Sequence, residues 1–163
     1  MSKQHKYLVL SLIAGLTLCK VFFINPSKVT EAHDIALQLK ETGEFRYWLN
    51  NNWNYNYQFP IYPFLIYLGY LVYEAPISGM VINLILSGIS AYLFYDILRR
   101  LKVNRQISLV GLVVFLLYPP LVYYQVRTIH PLSLDLLFVL LLIRFSFLEF
   151  TRRNIALYGL TLG

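Results

Sequence analysis

Apolar runs alternate with short polar or basic breaks along this chain, and several runs are long enough to cross a bilayer. The first, "YLVLSLIAGLTLCKVFFI" (Tyr7 to Ile24), holds 18 largely apolar residues behind the basic stub "MSKQHK", close to the roughly 20 that a spanning helix needs. Three further runs predict spans at about 77–98, 107–124 and 132–150, each bordered by charge or proline. A fifth apolar segment, "FPIYPFLIYLGYLVYE", is short, Tyr-rich and carries two prolines near its start. That pattern suits an interfacial or re-entrant helix over about 60–73 rather than a crossing one. The closing "NIALYGLTLG" starts another apolar helix from about residue 154, so the chain reads as the N-terminal part of a larger protein. The expected fold is an all-α membrane protein: polytopic transmembrane helices, with juxtamembrane amphipathic helices in a long first external loop at 25–76.

Composition agrees, with 58% hydrophobic, 17% aromatic and only 13% charged residues, the balance of a polytopic membrane protein rather than a soluble domain. The net charge of +6 would suggest nucleic acid in a soluble protein. Here the cations cluster at the ends of apolar runs, so they read as topology signals and no nucleic-acid partner is expected. If 60–73 does not cross, Lys3 and Lys6, then Arg99, Arg100, Lys102 and Arg105, then Arg152 and Arg153 all fall on one side. The positive-inside rule makes that side cytoplasmic, with the N-terminus inside and Lys20 snorkelling near the outer end of the first span. No small-x-small site follows the first run, and Leu18 before Cys19 spoils a lipoprotein signal. The run is therefore expected to be an uncleaved anchor. Cys19 stands alone, which excludes an internal disulfide.

Polar chemistry concentrates in two external places. "TEAHDIALQLKETGEF" (Thr30 to Phe45) carries four of the eight carboxylates. Thr30 suits an N-cap and Thr42-Gly43 a stop, which predicts a helix over about 31–41. Ala32, Ile35, Ala36 and Leu39 would form its apolar face, with Glu31, Asp34, Gln38 and Glu41 as a polar stripe lying on the outer membrane surface. That stripe suits either a solvated face complementing the helix dipole or a carboxylate pair, Glu31 and Asp34, that accepts a proton from a hydroxyl or binds a divalent cation. Downstream, "FRYWLNNNWNYNYQFPIYP" interleaves amides with aromatics, and Trp53 and Tyr62 are candidates for sugar contact as much as for an interfacial belt. The second place is "YPPLVYYQVRTIHPLSLD", where Arg127 can hold a phosphate or anchor to headgroups. His130 there can titrate or ligate metal, and Asp135 sits one turn into the next helix, where an acid needs a partner. Asp96 beside Arg99 and Arg100, and Arg144 with Glu149, read as interfacial ion pairs. No glycine-rich phosphate loop, CxxC, HExxH, nucleophile elbow or internal repeat is present in the sequence.

Taken in order, "IALQLKETGEF" after an acidic residue, "QFPIYPFLIYLGY", "INLILSGISAYLFYDILRRL", "YPPLVYYQVRTIHPLSLDLLFVLLL" and "ALYGLTLG" resemble the GT-C superfamily of integral-membrane glycosyltransferases. The likeness is to family-39-like bacterial members related to protein O-mannosyltransferases and aminoarabinose transferases. The resemblance implies transfer of a sugar from a polyprenyl-phosphate carrier to a lipid, glycan or protein acceptor, on the outer face of a bacterial cell membrane. It also implies an essential acid in the first external loop, matched best by Glu31 with Asp34 in reserve. Arg127, or Arg46, would then stabilise the phosphate leaving group. The family's Asp-Glu pair falls where this chain has Lys28 and Val29, and an acid in the second external turn where it has His130, so metal dependence is left open. The alternatives are a non-catalytic membrane subunit of a cell-envelope glycan assembly or carrier-lipid flippase system, and a transporter.

Overall fold

In the computed structural model the described residues are 3–25, 30–49, 52–55, 60–73, 76–148, 156 and 159. They are predominantly helical. α1 runs Lys3–Val21, α2 Glu31–Thr42, α3 Ile61–Val72, α4 Ile77–Arg100, α5 Arg105–Leu117, α6 Pro119–Val126 and α7 Leu132–Ser146. Between α2 and α3 the strands β1 (Arg46–Leu49) and β2 (Asn52–Tyr55) pair antiparallel, with Trp48 opposite Trp53. This hairpin departs from the loop expected there, because aromatic residues favour a pleated strand even between asparagines.

α4 is the axis, packing against α1, α3, α5, α6 and α7. Its start and its end face two different cores. At the loop end, Ala32 and Ala36 of α2, Tyr62, Ile66 and Tyr70 of α3, and Met80 of α4 close on Ile129 and Leu134. At the arginine end, Val9 and Ile13 of α1 meet Ala91 and Tyr95 of α4 and Leu112 and Leu116 of α5. Between the two cores α1 and α4 approach closely: a Cβ added at Gly88 would lie 3.8 Å from Ile13 and Thr17.

Burial along α4 takes in small and polar residues as well as large apolar ones. Ser78, Gly79, Asn83, Ser87, Ser90 and Ala91 are buried together with Met80, Leu84, Leu86, Tyr95 and Ile97, whereas Ile77, Val81, Ile85 and Ile89, four residues apart, form an apolar stripe 40–56% exposed. α5 repeats the arrangement with Ile107, Val110, Val114 and Leu117 outward. Of the described helices, only Ile77–Arg100 is by itself long and apolar enough to cross a membrane.

The run expected as one span at 107–124 is broken. α5 and α6 meet at 46°, because Pro119 and Pro120 supply no N–H and force the preceding Tyr118 out of helical backbone, to φ −59°, ψ 116°. α3, at 12 residues, extends only about 18 Å at 1.5 Å per residue. α7 ends at Ser146, and the start of a further helix at 154, like Glu149, lies outside the described residues apart from Ala156 and Gly159. Arg144 reaches Asp96 of α4 at 2.5 Å, and Arg100 holds the same carboxylate at 2.9 Å. Replacing Asp96 by Asn should therefore lower stability by about 1 kcal/mol, less at high salt. Thermal unfolding at two salt concentrations measures this, and equal losses at both would contradict an ionic role.

Candidate functional site

α2 begins and ends as its sequence predicts, but its cap works differently. Thr30 has extended backbone, φ −116° and ψ 168°, and its carbonyl accepts from the amides of His33 and Asp34. Its hydroxyl, instead of capping the helix, donates to the carbonyl of Ile129. Gly43, at φ 77°, closes the helix in the left-handed conformation and donates to the carbonyl of Leu39 at 3.1 Å.

The buried face of α2 is Ala32, His33, Ile35 and Ala36, with Leu39 only half-buried. His33, which the hydropathy pattern does not single out, shares a 2.6 Å hydrogen bond from Nδ1 with the Tyr70 hydroxyl on α3. Lys40 donates to the backbone carbonyl of Tyr70 at 2.7 Å. α2 is thus clamped onto α3 at two points rather than resting alone on a surface.

Burial holds the His33 pKa below the ordinary 6.5, with the Asp34 carboxylate pulling the other way. Burial, then the same carboxylate, pushes the Tyr70 phenol up. Both groups are neutral at pH 7. Because the unfolded chain takes up the His33 proton more readily, this contact's stability is complete above pH 6.5 and is lost as pH falls through the folded pKa. Amide exchange in α2, corrected for intrinsic rates, should therefore speed up between pH 7.5 and pH 5. Protection that ignores pH would refute it.

A second network lies alongside. Tyr62 donates to Asn83 Oδ1 at 2.8 Å, and Asn83 Nδ2 donates to the Thr128 carbonyl at 3.2 Å. The Asn25 amide donates to the Val126 carbonyl at 3.0 Å. Lys20, expected to snorkel, is instead buried and donates to Gln125 Oε1 at 2.7 Å. Three separate segments therefore converge on residues 125–130.

Glu31 follows Thr30 directly and His130 follows Ile129, so the Thr30–Ile129 link brings together the two polar concentrations of the sequence. Glu31 is half-buried, and Asp34, one turn on, is exposed. Arg127 is half-buried at the end of α6. His130 Nδ1 accepts from the Leu132 amide at 3.1 Å and its ring lies 5.0 Å from that of Tyr124, which leaves Nε2 to carry the proton of the neutral ring. Asp135 is exposed on the first turn of α7 and close enough to Tyr62 to help raise its pKa, an effect due chiefly to burial.

Two sugar-contact candidates stand differently. Tyr62 is 3% exposed and engaged by Asn83, and the side chain of Trp53 lies outside the described residues. Arg46 is paired with Glu44 at 2.6 Å in the hairpin segment. Among the described residues no group of three His, Cys, Asp or Glu side chains could hold a metal ion. Compared with known proteins, the chain matches no family profile, no curated protein and no solved structure.

Proposed function

We propose that this chain belongs to a membrane-embedded glycosyltransferase that moves a sugar from a polyprenyl-phosphate carrier to a lipid, glycan or protein hydroxyl on the extracytoplasmic face. The membrane part of the reading is supported by the exposed apolar stripes of α4 and α5. Large apolar side chains facing outward along two neighbouring helices, with four serines and an asparagine buried among the apolar residues inside, suit a lipid solvent. A spin label at Ile85→Cys, in a Cys19→Ser background, should be accessible to oxygen and shielded from a water-soluble nickel complex. Equal access to both probes would remove the membrane from the reading.

The observation that supports the chemistry is the Thr30–Ile129 link, which joins the segment carrying Glu31 to the turn carrying Arg127 and His130. In the proposed step the acceptor oxygen forms a bond to the anomeric carbon as the bond from that carbon to phosphate breaks. The acceptor proton passes to Glu31, and the carrier phosphate departs with the electron pair. Arg127 meets the charge growing on that phosphate, where a guanidinium fork fits two oxygens. The apolar helices would hold the prenyl chain.

The test is direct. Membranes bearing the native gene product are given radiolabelled polyprenyl-phosphate sugars, and both transfer to endogenous acceptor and release of carrier phosphate are followed. Production of polyprenyl phosphate dependent on the protein supports the reading. Neither turnover nor saturable donor binding with any such sugar would end it.

A further inference from the structure

At the arginine end, remote from α2, a cavity of about 430 Å³ opens between α1, α4 and α5, within the range of about 300–1,000 Å³ that small-molecule sites occupy. Among the described residues, Arg99, Arg100 and Arg105 line it against one carboxylate, Asp96. Asp96 is already shared between Arg100 and Arg144. The described lining thus carries more positive than negative charge.

The cations are held in place. Arg99 donates through its guanidinium to the Val103 carbonyl, which fixes the side chain back over the turn. That turn is tight: Lys102 takes the left-handed conformation at φ 59°, its amide donates to the Arg99 carbonyl at 3.2 Å, and the Val103 amide donates to the Leu98 carbonyl at 3.1 Å. The turn delivers Arg105 as the first residue of α5, capped by Asn104, whose side chain accepts from the Gln106 amide at 2.8 Å. The positive end of a 13-residue helix therefore adds to the same field. The lining also holds His5 of α1, hydrogen-bonded to Tyr95, and Tyr92 and Tyr95, which precede Arg99 on α4 by two turns and one turn respectively. Aromatic rings beside guanidinium groups suit a ligand with an anionic head and an organic remainder.

We propose that this cavity binds a phosphate-bearing anion, either the headgroup of an anionic phospholipid or a free phosphate compound. The site is independent of sugar transfer, lying at the other end of α4 from Glu31.

The experiment uses the native gene product in a neutral detergent, titrated with dioctanoyl phosphatidic acid, dioctanoyl phosphatidylcholine and inorganic phosphate, with binding followed by calorimetry. Phosphatidic acid should bind at least about tenfold tighter than phosphatidylcholine and lose affinity as salt is raised. Arg105→Gln should weaken it by about tenfold or more, Arg105→Lys should weaken it less because the charge stays while the guanidinium fork is lost, and Lys40→Gln at the loop end should change nothing. Inorganic phosphate binding as tightly as phosphatidic acid would uphold the site and identify its ligand as soluble; much weaker binding assigns it to lipid. Salt-independent binding, equal affinity for phosphatidylcholine, or unchanged affinity in a folded Arg105→Gln protein would each overturn the proposal. The salt and headgroup comparisons need no variant, so they decide even if Arg105→Gln fails to fold.

Discussion

Replacing Glu31 by Gln in the native gene product should slow sugar transfer by about 10²- to 10⁴-fold while leaving donor affinity nearly unchanged. Glutamine keeps the volume and one carbonyl acceptor, so packing at the start of α2 survives, but the amide cannot take the acceptor proton. Asp34→Asn should cost much less, because Asp34 is exposed one turn further on. Thr30→Val separates position from chemistry. It removes the hydroxyl that donates to Ile129 and should lower kcat without abolishing it, by loosening the placement of Glu31. Initial rates and donor binding on the three variants distinguish the cases. If Glu31→Ala and Asp34→Ala together leave transfer intact, catalysis lies elsewhere, and a non-catalytic subunit of an envelope-glycan system becomes the better account.

Asn83→Leu should destabilise the fold by about 2–4 kcal/mol, the largest structural effect expected from one substitution. Asn83 is fully buried, accepting from Tyr62 and donating to the Thr128 carbonyl. Leucine fills the volume but orphans a hydroxyl and a carbonyl, each costing roughly 1–3 kcal/mol when buried. Tyr62→Phe orphans only the Asn83 oxygen and should cost less. In the double variant Tyr62→Phe/Asn83→Leu the side chains are both apolar and only the Thr128 carbonyl remains unpaired, so the two losses should fall short of additive by about 1 kcal/mol. Thermal unfolding in one detergent measures all three, and strict additivity would mean that the Tyr62–Asn83 bond contributes nothing.

Local signals locate the helices well and their partners poorly. α2 is expected at 31–41 and found at Glu31–Thr42, and α4 is expected at 77–98 and found at Ile77–Arg100, since Thr30, Gly43 and the arginine pair are marks within a few residues of each end. The break at Tyr118 is also written locally, in Pro119 and Pro120, but an average of hydropathy across 107–124 conceals it. Pairings between distant segments leave no such mark. Asp96 lies 48 residues from Arg144 and His33 lies 37 from Tyr70, and nothing in either neighbourhood specifies the other. His33 is silent in the sequence for a further reason: a histidine next to an apolar face reads as polar until Tyr70 gives it a buried partner. The candidate site follows the same division. Glu31 and Arg127 stand out in the sequence as charges in polar stretches between apolar runs, whereas the hydroxyl that draws their segments together belongs to a threonine expected only to cap.

The two faces of α4 predict an unusual map of mutational tolerance. In a soluble helix the serines are mostly free to vary. Along α4 Ile85 and Ile89, which are exposed, should exchange freely among Leu, Val, Met and Phe, while Gly79 and Ser90, which are buried, should accept little beyond residues of their own size. Gly79 shows why, for a Cβ there would lie 3.0 Å from Ile129 and 3.4 Å from the Tyr70 hydroxyl. Sequence variation among descendants of this chain would then accumulate along the exposed isoleucine and valine stripe and be purged at the buried glycine and serines.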